Sequence, residues 1–268
     1  MLFRAASVVL LFLCLNFLWD IKTVNYALGA LLLVWIVLSV RGMTSMRSRV
    51  FGKVYWRGNP NEKSVALTFD DGPTAPYTAQ ILDILAKHNI KAAFFVIGKN
   101  LKDNPDLALR IHAEGHEMGN HTMSHPWMFR MLFSTIKEDI LLCQDEIEKI
   151  TGYRPRFFRQ PIGINNPSVM KVIDGLGMVM VGWQARAYDA VPTEKGKVVD
   201  RILRRVRPGG IVLLHDGCDG KTKPDRTATV EALEEIISAL KALGYEFKKV
   251  SELIGVKNVQ SSPPAPLP

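Results

Sequence analysis

The chain has 268 residues, of which 47% are hydrophobic and 22% charged, and it carries a formal net charge of +8. That balance excludes disordered, collagen-like and disulfide-framework chains and leaves room for one large domain or two small ones around a sizeable core. Residues 1–57 hold seven basic side chains against Asp20 alone, so the excess charge is N-terminal, the body is nearly neutral, and nucleic acid is not the expected partner.

Two uncharged apolar runs open the chain, residues 5–19 and 24–40. As helices they reach roughly 22 and 26 Å, short of the about 30 Å of a bilayer's hydrocarbon. Asp20 and Lys22 separate them, and Trp19, Tyr26 and Trp35 suit the membrane interface. Residues 1–42 therefore read as a membrane hairpin in contact with lipid, and no small-residue cleavage site after the first run favours a removable leader. Arg41, Arg47, Arg49, Lys53 and Arg57 follow without an acidic neighbour. The positive-inside rule then favours the cytoplasmic face of a bacterial inner membrane for what comes next. Cys14, Cys143 and Cys218 show neither metal-binding nor redox spacing.

Residues 43–62 read as a basic linker, and from Ser64 strands and helices alternate. The run 65–69 is β-rich and stops at Asp70-Asp71-Gly72-Pro73. A helical spacing follows over 78–88, then a buried strand over 92–98. Asn104-Pro105 opens a helix that stops at Gly115, and another runs over 134–150 with Gly152 past its end. Further strands are expected at 156–159, 178–183, 210–214 and 245–250, and helices at 167–176, 195–206 and 226–243. The proline-rich residues 255–268 read as a disordered tail. About seven strands joined by short helical crossovers predict an α/β fold, a parallel sheet closed or nearly closed into a barrel.

The unusual polar residues sit at predicted strand ends. Asp70 and Asp71 follow the first strand. His121 and His125 are four apart, which on a helical turn puts both imidazoles on one face, as a metal requires. A carboxylate such as Asp71 would complete a three-ligand set with open positions for water and substrate. Arg159-Gln160-Pro161-Ile162-Gly163, Asp189 and Leu213-Leu214-His215 close other strands. Singly, each is compatible with turn chemistry or a surface ion pair; together they point to one pole of a barrel.

In that order TFDDG, HTMSH, RQPIG, the Asp189 region and LLH resemble the polysaccharide deacetylase family with the NodB homology domain, carbohydrate esterase family 4, over about residues 63–254. The resemblance implies a distorted (β/α)7-type barrel over residues 63–254 and removal of N-acetyl groups from an N-acetylated sugar in a polysaccharide, peptidoglycan or lipid-linked glycan. It implies one divalent metal, zinc or else cobalt or another divalent ion, on Asp71, His121 and His125. By the same resemblance Asp70 is the general base and His215 the general acid. Arg159 and Asp189 orient them in turn. Leu213 belongs to the acetyl-methyl pocket, and Pro161 and Ile162 touch substrate. Two departures stand out. The family's fourth motif commonly carries Asp where Arg186 stands and Trp where Ala190 stands, and its third has an aromatic in place of Ile162. Rival readings are a non-catalytic glycan- or lipid-binding protein of the same fold, or an O-acetyl esterase.

Overall fold

The computed structural model describes residues 11–12, 21–219 and 225–258. The first apolar run lies almost wholly outside the described residues. The second forms a helix, Ile21–Thr44, that begins before the apolar run and continues past Arg41. Its 24 residues extend about 36 Å at 1.5 Å each, so the expectation of a helix too short to span is corrected: by length and composition this one can cross a bilayer. Polar residues at both ends of the run join the helix because helix formation costs them little once the apolar centre is nucleated.

Among the described residues the body is one curled sheet of nine short strands: β1 Val54–Tyr55, β2 Ser64–Asp70, β3 Ala93–Val96, β4 Glu117–Asn120, β5 Phe157–Phe158, β6 Val179–Val181, β7 Ala185–Arg186, β8 Gly210–His215 and β9 Glu246–Phe247. Their order is β1-β6-β5-β4-β3-β2-β8-β7, with β9 beside the start of β2, and every ladder is parallel. This is the predicted barrel-type α/β architecture. The supposed linker contributes β1, which pairs with β6, and Arg57 bridges Gly210. Asn258, read from sequence as tail, is buried; it accepts from the Arg156 and Phe157 amides and donates to the Met118 carbonyl, tying β5 to β4.

Side-chain alternation decides what each strand offers to each face. In β2, Val65, Leu67 and Phe69 enter the large apolar cluster under the helices, together with Val212 and Leu214 of β8 and Phe94 and Val96 of β3. The other set, Ala66 with Ile211, Ala93 and Phe95, packs inside the curl, where Val250 and Leu253 of the last helix, Val250–Ile254, join it. Thr68 and Asp70 continue the inward face of β2, and its register sets Thr68 opposite Leu213 and Asp70 opposite His215 of β8. The hydrophobic pattern that buries β2 thus also aims Asp70 at the mouth of the curl. A one-residue slip would turn it toward the helices.

Inside, Gly119 of β4 lets the Phe95 ring lie flat: a Cβ there would come within 2.6 Å of two ring carbons. Gly119→Ala is expected to lower stability by about 1–3 kcal/mol through overpacking, to be measured by urea denaturation.

Candidate metal and acid–base site

Five strands end at one pole of the sheet and deliver the polar residues there. Asp70 ends β2 and His215 ends β8 at paired positions. Asn120 ends β4 beside Phe158 of β5, so His121 and Arg159 leave neighbouring strands side by side. β7 ends at Arg186, opposite Leu213, three residues before Asp189.

His121, His125 and Asp71 converge. The Nε2 atoms of both histidines lie 3.3 Å from Asp71 Oδ1, and one donor atom from each of the three residues falls within 4.8 Å of the others. These histidines do not share a helical turn, contrary to the sequence reading: residues 121–125 form an irregular loop, with Thr122 and His125 at positive φ. Side chains hold that loop. Asn120 accepts from the Thr122 amide and donates to the Ile140 carbonyl, and Asp139 accepts from the Met123 amide and the Ser124 hydroxyl. Thr122 Oγ1 accepts from the His125 amide. These supports were not among the expected site residues, because their partners are backbone groups that no sequence spacing marks.

The chemistry of this trio suits a cation. Asp71 Oδ1 is buried without a hydrogen-bond partner among the described residues, a state that is costly unless a cation approaches. His121 Nδ1 lies 2.7 Å from the Arg159 carbonyl, which fixes the N–H on that nitrogen and leaves the Nε2 lone pair free to ligate. Burial works against the Asp71 carboxylate, yet the two imidazoles hold its pKa well below the usual range.

Arg159 is almost wholly buried, and each nitrogen of its guanidinium donates a hydrogen bond. It donates to Asp70 Oδ1 at 2.6 Å, to Thr68 Oγ1 at 2.8 Å and to the carbonyls of Val181 and Gly182. Its Cζ lies 4.0 Å from the centre of the Phe95 ring. Burial lowers its pKa, opposed by Asp70. On the other side of the site, Asp189 Oδ1 meets His215 Nδ1 at 2.9 Å, while Oδ2 accepts from the His215 amide and from Thr229. Arg226 donates to the Asp189 carbonyl and steadies that loop. Burial disfavours the His215 imidazolium, but the Asp189 carboxylate, with Asp71 and Asp70 beyond it, carries the pKa up to about 9. Burial likewise pushes Asp216 up to about 7, against a hydrogen bond from Thr78 and with the Asp71 and Asp70 charges adding to the rise.

A cavity of about 290 Å³ opens over these groups, walled by Asp70, Asp71, both histidines, His215 and Leu213, with Trp183, Arg186, Tyr188 and Ala190 on the far side. Gln160, Ile162 and Gly163 face it, while Pro161 is buried in the 3-10 turn Pro161–Gly163 and does not line the wall. Trp183 and Tyr188 were missed in the sequence because lone aromatics after a short strand read as core. Backbone strain gathers here as well. Among the described non-glycine residues, positive φ occurs at Asp71, Thr122, His125, Ile162 and Tyr188, and elsewhere only at Asn89; each such residue costs about 1–3 kcal/mol.

Comparison with known proteins finds relatives over most of the chain. The sequence model of the family described as Polysaccharide deacetylase matches residues 57–181. A peptidoglycan-N-acetylglucosamine deacetylase of Bacillus cereus is 38% identical over 209 residues, covering 77% of this chain and 95% of that protein. The peptidoglycan-N-acetylmuramic acid deacetylase PdaA of Bacillus subtilis is 34% identical over 210 residues, 77% of either chain. Among solved structures, a peptidoglycan N-acetylglucosamine deacetylase superposes with a TM-score of 0.72 at 31% identity, covering 77% of this chain and 95% of that one. A carbohydrate esterase family 4 pseudoenzyme from Bacillus anthracis gives 0.68 at 33% identity, covering 74% and 67%.

Because Arg159 and Asp70 are buried together, removing the cation strands the carboxylate. Arg159→Met is expected to cost about 3–5 kcal/mol. Adding Asp70→Asn should recover part of that loss, as read from urea denaturation of the single and double variants.

Proposed function

This chain belongs to the polysaccharide deacetylase family, hydrolases of N-acetyl amide bonds, and from that premise we propose that it is a membrane-anchored, zinc-dependent deacetylase of an N-acetylated sugar. The observation that carries this reading is the pairing of Asp70 with His215 across one strand ladder, with the Asp71, His121 and His125 donors beside them.

In this reading Asp71, His121 and His125 hold the metal. When bound, it acts as a Lewis acid on the acetamide carbonyl and acidifies water near neutral pH. Everything else falls to the chain's own residues. Asp70, oriented by Arg159, accepts the proton of the attacking water. The backbone N–H near Ile162 donates to the oxyanion as it develops. His215 holds its Nδ1 proton against Asp189, so Nε2 is the atom that delivers a proton to the departing amine, which would otherwise be too basic to leave. Leu213, buried at the cavity wall, takes the acetyl methyl. Asp70 and His215 thus take opposite proton duties, the first facing an arginine and the second a carboxylate.

The helix Ile21–Thr44 supports membrane anchoring, and the cations that follow it favour the cytoplasmic face. A reporter fused after residue 258 tests the side directly.

Acetate release from an N-acetylated oligosaccharide should be abolished by a chelator and restored by zinc or cobalt. Asp70→Asn should lower kcat by at least about a hundredfold, the scale of general-base catalysis; full activity in that variant would overturn the assignment of the base. His215 has its pKa raised in the fold, so its acid form is present below the ordinary histidine range and lost as pH rises through about 9. Activity should fall along that limb, and Asp189→Asn should move the limb toward lower pH, as read from the pH dependence of kcat.

A further inference from the structure

A second cavity, of about 330 Å³, adjoins the first, and Gly163, Trp183, Arg186 and Tyr188 wall both. Its other side is the foot of the long apolar helix and the segment just after it: Thr44, Ser45, Met46 and Arg47. Contact between foot and site wall is direct. The Met43 carbonyl accepts from the Asn165 amide at 2.9 Å, two residues beyond Gly163, and a Cβ at Gly182 would come within 3.0 Å of Met46 Sδ.

The second cavity concentrates positive charge. Three guanidinium groups gather about the Tyr188 ring, with Cζ to ring centre 4.0 Å for Arg186, 5.7 Å for Arg201 and 5.6 Å for Arg205. Arg186, Arg205 and Arg47 line the cavity, the last from the helix foot with its Cζ 4.8 Å from the centre of the Trp56 ring. None of these four arginines pairs with a carboxylate among the described residues. Their recorded hydrogen bonds go to Tyr188, Thr193 and backbone carbonyls. A solvated helix face accounts for Arg204, which pairs with Asp200. It does not account for cations from three separate segments, Arg47, Arg186 and Arg205, lining one hollow. Like charges so placed repel, and an anion between them reverses the sign of the interaction. Guanidinium groups are suited to phosphate, which they bind through several charge-assisted hydrogen bonds.

Resting on the deacetylase reading above, we propose that this second cavity holds the phosphate of a lipid-linked N-acetylated sugar phosphate, whose sugar occupies the first cavity. The position of the hollow selects a lipid-linked source. A helix that crosses a bilayer leaves its foot at the depth of the headgroup phosphates, and Thr44 to Arg47 are that foot. A glycosyl phosphate esterified to a long apolar alcohol places its phosphate at this depth and its sugar one residue further out, in the order in which the two cavities follow one another. Arg186 is also a position at which the chain departs from the family pattern, with a cation where an acid is common.

The test uses the full chain in phosphatidylcholine vesicles, zinc-loaded, with four substrates: polyprenyl-phosphoryl N-acetylglucosamine, soluble N-acetylglucosamine 1-phosphate, a muramyl oligosaccharide as the carboxylate-bearing rival, and octyl N-acetylglucosaminide as the neutral lipid-like control. The expected kcat/KM for the first exceeds that for the neutral glycoside by at least about tenfold, and this ratio collapses to within about threefold in Arg186→Gln and Arg205→Gln, the loss expected for a charge-assisted hydrogen bond. A readout independent of turnover is calorimetric titration of N-acetylglucosamine 1-phosphate into metal-free protein, with binding weakened at least about tenfold in the double variant. Turnover of the neutral glycoside with no preference for phosphate would overturn this inference and leave the deacetylase reading standing. Equal use of the soluble 1-phosphate would overturn its lipid half. An arginine-dependent preference for a muramyl oligosaccharide would replace phosphate by carboxylate and overturn the assignment. Absence of acetate from every substrate would overturn the deacetylase reading, with the titration still deciding the anion site.

Discussion

Arg159 keeps a positive charge where water does not reach it, and much of the site is arranged around that fact. A buried guanidinium is tolerated only when its donors are met and its charge is balanced. Here the partners come from β2 through Thr68 and Asp70, from the end of β6 through the Val181 and Gly182 carbonyls, and from β3 through the face of Phe95. The arginine's own carbonyl orients His121. One residue therefore positions a carboxylate with its side chain and an imidazole with its backbone. The curl of the sheet is what brings these strands close enough for both.

The alternation of β2 links this arrangement to folding. The period that buries Val65, Leu67 and Phe69 beneath the helices leaves Thr68 and Asp70 pointing inward. Core formation and placement of the carboxylate are then a single event, and the parallel ladder to β8 extends it to His215. Polar groups that follow rigid strand ends in this way need no induced closure to meet.

Much of this was legible in the sequence because the polar residues interrupt apolar runs abruptly, as at Phe69-Asp70 and Leu214-His215. Strand ends were therefore easy to see, and a common pole followed from parallel topology. The histidine pair was found for a reason the structure replaces. Four-residue spacing suggested a helical face, whereas the imidazoles converge through a loop whose shape Asn120 and Asp139 impose by hydrogen bonds to backbone. Such bonds depend on tertiary approach and leave no periodic signal. The same holds for β1 and Asn258, whose partners lie more than a hundred residues away along the chain, and for the convergence of Arg47, Arg186 and Arg205. The extent of the Ile21–Thr44 helix escaped for a different reason: charge at the edges of an apolar run marks where the greasy stretch ends, not where the helix does.

The left-handed residues around the cavity have a consequence for how this protein could be altered. Asp71, Thr122, His125, Ile162 and Tyr188 hold backbone conformations that glycine adopts freely. Directed selection for thermal tolerance alone would meet these places early and relax them, since relief of steric discomfort is among the cheapest routes to a tougher protein. Relief at Thr122, Ile162 or Tyr188 would leave the working groups encoded but no longer held to a shared focus, and relief at Asp71 or His125 would remove one of them outright. Stability and competence draw here on the same few turns.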